Sequence, residues 1–455
     1  MKAALDGGMI DIPDYVRIAL GRLRGAGFDA YCVGGCVRDL LLGVEPRDWD
    51  VATAADPGGI AAALAGFPLL PTGLRHGTVT ALIGGGRVEI TTFRVDGGYS
   101  DGRRPDSVRF VSDLREDLAR RDFSMNAMAL SADGSVIDYF GGREDIRRRT
   151  VRAVGDAALR FGEDALRILR ALRFASALGF SIDEGTSGAA RAGAARLAGV
   201  SAERLNAELG LTLCGMDAGR ILRGYADVVA AVLPETAPMF GFEQHNRHHC
   251  LDVWAHTAAV VENAPATPVL RWAALLHDIG KPHTFSMKDR REGHFYGHAE
   301  KGCEIAGRIM LRLRFDNATR RRVLKLIELH DVPIAADRAA VRRQLNRLGE
   351  EALAQLLLLK RADNLAQAPE YRHRQGEISA LEALMRDIIA EKDCFSLRGL
   401  AVDGRDMASL GLSGRAIGAA LDRLLGMVMD GAVPNERDAL LDAASRLRPG
   451  LPDAP

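Results

Sequence analysis

Two carboxylates one residue apart, Asp48 and Asp50 in the run VGGCVRDLLLGVEPRDWDVAT over residues 33 to 53, have a spacing that suits chemistry on phosphate. On a strand, side chains two positions apart share a face, so DWDV presents Asp48 and Asp50 together while Trp49 and Val51 face the core. Hard oxygen ligands of this kind hold a divalent ion such as Mg²⁺, with substrate phosphate oxygens completing its shell. A pair of such ions can stabilise the attacking and leaving oxygens of an in-line displacement. Gly34 and Gly35 fit the same task, because backbone without Cβ lets N–H groups approach a triphosphate, and Arg38 can add a charge-assisted contact. An isolated pair of acids on a wet strand would be merely solvated, and spacing alone reaches only metal and phosphate.

Two further segments carry polar residues at suggestive intervals. EDLARRDFSMNAMAL, residues 116 to 130, has a polar block, Arg120-Arg121-Asp122, leading into a half-apolar run that contains Asn126. RFGEDALRILRALRFASALGF, residues 160 to 180, reads as one strong helix with Asp164, Arg167 and Arg170 three apart. On such a helix Asp164 and Arg167 are neighbours, and the bland alternative is a surface ion pair worth under about 1 kcal/mol. The GxxxxGK[ST] pattern of a P-loop is absent from the sequence.

Together GGCVRDLLLGVEPRDWD, RRDFSMNAMAL and EDALRILRALRF, in this order, resemble the class II tRNA nucleotidyltransferase and poly(A) polymerase family. The likeness continues through HGTVTALI, EITTFRVDGGYSDGRRPDSVRFV and FGGREDIRRRTVRAVGDAALRFGEDALR. It implies a polymerase-β-like head in which Asp48 and Asp50 hold Mg²⁺, Glu89 is a third carboxylate, and Asp122, Asn126, Arg167 and Arg170 contact the nucleotide. Beside that family the Asp164 and Arg167 pair gains a sharper role. Cytosine and adenine each present an amino donor beside a ring-nitrogen acceptor, whereas uracil and guanine present the reverse. A carboxylate next to a guanidinium therefore matches CTP and ATP and opposes the other two.

The implied reaction is attack of a tRNA terminal hydroxyl on the α-phosphate of CTP or ATP, with pyrophosphate leaving. In this family the switch from C to A depends on a flexible loop, here about residues 94 to 110. Gly97, Gly98 and Gly102 would make it mobile, with Asp96, Asp101, Arg103 and Arg104 as polar levers. Arg147, Arg148, Arg149 and Arg152, with Arg160, are candidates for holding tRNA backbone in a salt-sensitive contact.

A second constellation lies in LDVWAHT, LLHDIGKP, HFYGHAEKG, IELHD and LKRADN, which place His256, His277-Asp278, His298, His330 and Asp363 among helices. It resembles an HD phosphohydrolase domain. The resemblance implies that His256, His277, Asp278 and Asp363 converge on a divalent ion, for which imidazole and carboxylate admit Mg²⁺, Mn²⁺ or Ni²⁺. His248 and His249 are read as structural. In related tRNA nucleotidyltransferases such a domain sometimes has phosphatase or cyclic phosphodiesterase activity.

The elements that must position these residues follow a simple plan. Residues 14 to 25 have helical spacing, AYCVGG reads as a strand entering a turn, and DWDVAT, TVTALI and RVEITTF are strands, the last two joined by GGG as a hairpin. From about residue 155 helical periodicity takes over. The fold class is α+β: a nucleotidyltransferase head with a small mixed sheet over residues 1–148, then an all-α body. The body comprises a base-selecting neck over 149–240, the HD domain over 241–375 and a helical tail over 376–455, the last resembling a segment that clasps the tRNA arm. Lys plus Arg and Asp plus Glu both number 60 in 455 residues, so only local clustering can speak for a polyanionic partner. Six scattered cysteines, no leader-like start and no run of about 18 apolar residues point to a reduced cytoplasmic protein with no membrane and no DNA partner. Readings that compete with full CCA addition are poly(A) polymerase, an enzyme adding only A or only CC, and an HD metal phosphohydrolase whose head merely binds RNA.

Overall fold

The structure, a computed structural model, describes residues 10–73, 77–97, 107–288 and 292–447. It divides into two compact units, the first running up to Ala237 with Arg312–Arg314, the second starting at Pro238.

The first unit opens with helix α1 (Asp14–Gly25), which buries Val16, Ala19, Leu20 and Leu23 at helical spacing and carries Asp14 at its positive end and Arg22 and Arg24 at its negative end. Strand β1 (Ala30–Val33) runs straight into α2 (Gly35–Leu42), and β2 (Trp49–Thr53) follows. Trp49 and Val51 are buried as alternation requires, and Asp48 lies just ahead of the strand. Helix α3 (Pro57–Ala63) starts on Asp56, whose side chain accepts the Gly59 N–H. Strands β3 (Leu69–Gly73), β4 (Thr78–Ile83) and β5 (Gly86–Thr92) come next. Gly84 and Gly85, with φ of +55° and +83°, make the two-residue turn between β4 and β5 that the GGG run predicts.

A short pair, β6 (Arg94–Asp96) with β7 (Val108–Phe110), flanks the loop proposed as a lever. Gly98, Asp101, Gly102, Arg103 and Arg104 of that loop lie outside the described residues. After α4 (Leu114–Ala119), a single 3₁₀ turn at Ser124–Asn126 leads into β8 (Met128–Leu130) and β9 (Val136–Asp138). The seven strands order as β3-β4-β5-β2-β1-β8-β9, with β2 and β5 parallel and Asp50 directly opposite Glu89.

Helix α5 (Gly142–Arg147) and strand β10 (Thr150–Val151) lead to α6 (Ala157–Glu163) and α7 (Leu166–Leu178). Here the structure departs from the single helix expected over residues 160 to 180. The helix breaks at Asp164, whose backbone is extended at φ −142°, ψ 105°. The Asp164 side chain takes the Leu166 N–H at 3.0 Å and its carbonyl takes the Arg167 N–H at 3.0 Å. A short acid that bonds nearby backbone competes with helix continuation and restarts it instead. Strand β11 (Ser181–Ile182) pairs with β10, and α8 (Glu184–Gly193), α9 (Ala202–Leu213), α10 (Ala218–Gly224) and α11 (Ala226–Val232) complete the unit's helices.

Among the described residues, the second unit is helical except for one hairpin that strand patterns did not reveal. Its elements are α12 (Val253–Asn263), α13 (Pro268–Leu276), α14 (Lys281–Thr284), the hairpin β12 (Ser286–Lys288) with β13 (Glu292–His294), α15 (His298–Arg312), α16 (Asn317–Leu329), α17 (Arg338–Leu348), α18 (Glu350–Ala366) and α19 (Arg374–Ala390). The tail, α20 (Gly404–Ser409), α21 (Arg415–Met429) and α22 (Arg437–Leu447), packs its own apolar cluster around Met407, Leu424 and Leu440. No helix among the described residues is long and apolar enough to cross a membrane.

Candidate functional site

In the first unit, four segments far apart in sequence line one cavity of about 420 Å³: Gly34, Gly35, Arg38 and Asp50; Arg120, Arg121, Asp122 and Asn126; Asp164, Arg167 and Arg170; and Arg204 of α9. Glycine is required at position 34. Its φ is +81°, and a Cβ there would stand 3.0 Å from Arg121 Nη1 and 3.8 Å from Asp50 Oδ2. Burial pushes the Asp50 carboxyl up, Arg121 opposes this, and the nearby Glu89 and Asp48 carboxylates add to it. A half-buried acid crowded by like charges suits a site that gains a cation. Asp50 alone of the three carboxylates lines the cavity; Asp48 is exposed just ahead of β2, and Glu89, opposite Asp50 on β5 and paired with Arg87 at 2.7 Å, is near enough with Asp48 to act on the Asp50 charge.

A chain of charge-assisted bonds crosses the cavity floor. Arg38 donates to Asp39 Oδ1 at 2.7 Å and to Asn126 Oδ1 at 2.8 Å; Asn126 donates to Asp122 Oδ1 at 3.1 Å; Arg170 donates to Asp122 Oδ2 at 2.8 and 2.5 Å. Burial alone would raise the Asp122 carboxyl, but Arg170, Asn126 and the Phe123 N–H bring it below the ordinary carboxylate value. The guanidinium groups of Arg38, Arg170 and Arg173 gather over the Phe174 ring, 5.1, 5.5 and 4.2 Å from its centroid. The result is a preformed cationic surface suited to a polyphosphate.

Asp164 and Arg167 both reach this cavity, but each is held by another residue. Arg204 of α9 donates to Asp164 Oδ2 at 2.6 Å. Arg167 donates to Glu163 at 2.5 Å and to the Arg120 carbonyl at 3.0 Å. Because the helix breaks between them, the pair is not the intrahelical neighbour pair that its spacing suggests. Among the residues that sequence reasoning missed as site residues, Arg204 and Glu208 arrive from α9, which carries no motif of its own in that reading. Burial raises the Glu208 carboxyl against the opposing pull of Arg173 and Arg170. Asp117, also missed, is buried and accepts from Arg120 at 2.7 Å and from Arg121 at 3.2 Å, aiming both arginines.

The arginines proposed for RNA backbone lie away from this cavity. Arg147 and Arg148 pair with Glu144 on the surface, Arg149 lies over Phe180, and the Arg152 guanidinium is taken up by Asp145 at 2.6 Å and the Phe140 carbonyl at 2.8 Å. Arg160 pairs with Glu163 at 2.7 Å.

The second unit carries its own polar cluster, set in a cavity of about 510 Å³. Asp278 is buried at its centre. On one side its Oδ2 is 3.1 Å from His277 Nε2 and 3.5 Å from His256 Nε2; on the other its Oδ1 is 3.7 Å from both His298 Nε2 and His330 Nε2. Asp363 meets His256 Nε2 at 2.9 Å. Three rings share one device. The Nδ1 of His277, His298 and His330 each bonds a carbonyl three residues earlier, at 2.8, 2.8 and 2.7 Å. That contact fixes the proton on Nδ1 and turns a bare Nε2 toward the cluster. His256 Nε2, His277 Nε2 and both Asp278 oxygens are buried with ionic neighbours but no well-aligned hydrogen bond, and His298 and His330 face each other Nε2 to Nε2 at 3.1 Å. Two groups of ligands, His256-His277-Asp278 and Asp278-His298-His330, are each compact enough for one ion. This donor set fits a divalent transition ion, and His298 and His330 add to the quartet that the sequence assigns. Lys281 Nζ forms an ion pair with Asp278 Oδ2 at 2.7 Å and donates to Gln244 Oε1 at 2.8 Å. His249, expected to be structural, lines the same cavity 4.8 Å from the His256 ring; burial, with Lys281 and His256 adding, pushes it down to about 2, so it is neutral.

Comparison with known proteins finds a family for the region that holds each cavity. Residues 30–152 match the Poly A polymerase head domain and residues 247–368 the HD domain. The CCA-adding enzyme of Limosilactobacillus fermentum is 34% identical over 432 residues, which cover 95% of this chain and 96% of its own. That of Geobacillus stearothermophilus is 46% identical over 261 residues, 57% of this chain and 61% of its own length. The structure of the Bacillus stearothermophilus CCA-adding enzyme in complex with CTP, 30% identical, aligns over 96% of this chain and 97% of that one with a TM-score of 0.70. The Thermotoga maritima CCA-adding enzyme complexed with tRNA, 21% identical over 97% of each chain at a TM-score of 0.58, shares the fold.

Proposed function

The chain belongs to the CCA-adding enzyme family, and from that membership we propose that it adds CMP, CMP and AMP without a nucleic acid template to the 3′ end of tRNA, using CTP and ATP and releasing pyrophosphate. The carrying observation is the cavity in which Gly34, Asp50, Asp122, Asn126 and Arg170 meet from three separate segments.

In this reading the triphosphate lies on the Arg38, Asn126 and Arg170 surface, with Gly34 and Gly35 opening the backbone to it. Asp48 and Asp50, with Glu89 beside them, would hold Mg²⁺, which when bound activates the terminal ribose hydroxyl and screens charge at the α-phosphate. Arg121, aimed by Asp117, stands next to Asp50 and meets charge that develops on phosphate oxygens. Asp164 offers an acceptor and Arg167 a donor from the same wall, matching the amino and ring-nitrogen pattern that cytosine and adenine share. The exposed Arg147 and Arg148 supply RNA backbone contacts, and the setting is the cytoplasm.

For the second unit we propose a divalent ion on His256, His277, Asp278 and Asp363 and hydrolysis of phosphate esters there. The compact donor set supports it: His256, His277 and Asp278 offer ligand atoms close enough together for one ion, and they are buried where ionic contacts from Lys281 and Asp363 offset their charge.

The test is extension of a tRNA transcript lacking its 3′ end, with Mg²⁺ and CTP, ATP or both, read on a sequencing gel. Addition of CC and then one A is the expected result. A long A ladder would make it a poly(A) polymerase, a stop at CC or a need for a CC end would make it a partial enzyme, and no extension would move the function to the HD unit.

A further inference from the structure

Tyr296 lines the cavity around Asp278 with 76% of its surface exposed, more than any other large apolar side chain among the described residues. Its ring is already stacked on one side: the His294 imidazole lies parallel to it, 7° between planes and 5.2 Å between centroids. Both rings belong to the segment that leads into the cluster. His294 ends β13, Tyr296 follows it, and His298 opens α15 with its Nδ1 bonded to the Phe295 carbonyl at 2.8 Å. Lys281, the partner of Asp278, lies 5.3 Å from the centroid of the intervening Phe295 ring. The cavity therefore combines two unlike features: a deep end built from carboxylates, imidazoles and an ammonium, and an exposed aromatic face on its wall.

A purely apolar ligand would leave the deep end unsatisfied, and a bare phosphate would leave the Tyr296 face uncovered. A nucleobase joined through ribose to a phosphate satisfies both, and about 510 Å³ is within the range that holds such a molecule. We propose that Tyr296 and His294 form a nucleobase-stacking platform, so that the site takes a nucleobase–ribose–phosphate ligand with its base on the free face of Tyr296 and its phosphate at Asp278. This rests on the reading of the second unit as a phosphate ester hydrolase. The ligand is either a free nucleotide or the terminal residue of an RNA, and because every base has a π-face, stacking predicts little base preference.

The experiment uses the full chain loaded with Mn²⁺ and matched esters: adenosine 2′,3′-cyclic phosphate and adenosine 3′-phosphate against the methyl riboside counterparts, which lack a base. A short RNA ending in a 2′,3′-cyclic phosphate forms a further arm. Tyr296 is exposed, so its substitution leaves the core intact. Tyr296→Ala is expected to raise KM for base-bearing esters about five- to a hundredfold, with kcat within about twofold and the baseless esters unchanged, and Tyr296→Phe is expected to restore it. An effect in both the nucleotide and the RNA arm marks a general platform; an effect confined to one arm identifies the source of the ligand. Equal KM for base-bearing and baseless esters in the parent, or an unchanged KM in Tyr296→Ala, overturns the proposal. If the parent hydrolyses none of these esters, the hydrolase reading fails by itself, and the platform is judged by fluorescence of a 2-aminopurine ribonucleotide. Stronger quenching by the parent than by Tyr296→Ala reports this site whatever binds elsewhere, and equal quenching overturns the platform.

Discussion

Arg170 donates two hydrogen bonds to Asp122 Oδ2, at 2.8 and 2.5 Å, while Asp122 Oδ1 receives Asn126 Nδ2 and the Phe123 N–H. Both oxygens of a buried carboxylate are thus engaged, and the contact ties α7 to the segment that follows α4. Arg170→Ala leaves that carboxylate buried and uncompensated. The expected cost is about 2–4 kcal/mol, below the loss for a fully buried pair because Arg170 keeps 32% of its side chain exposed. Nucleotide incorporation should fall with it. Arg170→Lys keeps charge but not the two-pronged geometry and should recover only part of either. Urea unfolding and single-turnover incorporation read both.

The same pair sets a pH dependence. Asp122 lies below its ordinary value in the folded chain. Its contribution is therefore fully present above the unfolded value of about 3.9 and is lost as pH falls through the lowered native value. The urea midpoint of the parent should fall more steeply than that of Asp122→Asn as pH is taken from about 5 down to 3. Parallel curves would remove Asp122 as a source of acid lability.

Asp50 has the opposite sign. Burial raises its carboxyl, with Glu89 and Asp48 adding to the effect, so at neutral pH its charge costs stability in the absence of a cation. Asp50→Asn should leave metal-free stability unchanged or raise it by up to about 1 kcal/mol, while incorporation falls at least about 1000-fold. Thermal melts in chelator and a primer-extension assay test the two halves. Retained incorporation would overturn the metal assignment.

The sequence made some of this legible and hid the rest for identifiable reasons. Alternation in DWDV located Trp49 and Val51 in the core and GGG located the β4–β5 turn, because each is a local backbone rule, and Gly34 and Gly35, read as backbone open to a phosphate, stand at the start of α2 on the cavity lining. The break at Asp164 was hidden, since the apolar spacing on both sides continues one helical pattern and only a side-chain bond to Leu166 N–H interrupts it. Arg204 was hidden because its role exists only through a tertiary contact with Asp164, whereas Asp117 sits three and four residues before Arg120 and Arg121, a local spacing present in EDLARRD that could have found it. In the second unit the histidines were visible by type, but the bonds from Nδ1 that turn the Nε2 of His277, His298 and His330 inward depend on how each ring is rotated onto the carbonyl three residues earlier.

Arg204 is the residue that holds Asp164 Oδ2, at 2.6 Å. In Arg204→Ala that carboxylate keeps the Leu166 N–H but loses its second anchor, so it rotates among positions that no longer present one fixed acceptor. Base selection should suffer more than chemistry: KM for CTP and ATP is expected to rise about tenfold, a loss of ~1.4 kcal/mol, and UMP incorporation relative to CMP should increase. Competition assays with mixed triphosphates measure the ratio. An unchanged ratio with a uniformly lower rate would mean that Arg204 supports the fold of α9 and not the reading of the base.

Asp278 sits between two groups of imidazoles and also pairs with Lys281. Asp278→Asn keeps the volume, removes the carboxylate common to both groups and leaves the Lys281 ammonium held by Gln244 alone. The expected result is loss of tightly bound Mn²⁺ or Ni²⁺ on dialysis and metal analysis, and loss of metal-dependent phosphate ester hydrolysis. Incorporation by the first unit should stay within about twofold, because the cavity around Asp50 and Arg170 draws no residue from the second unit. His330→Ala separates the two groups: if one ion occupies the His256 and His277 side, that ion should survive the change while any second ion is lost. Unchanged metal content in Asp278→Asn would remove this cluster as a metal centre, and an equal fall in both activities would show that the two units do not act independently.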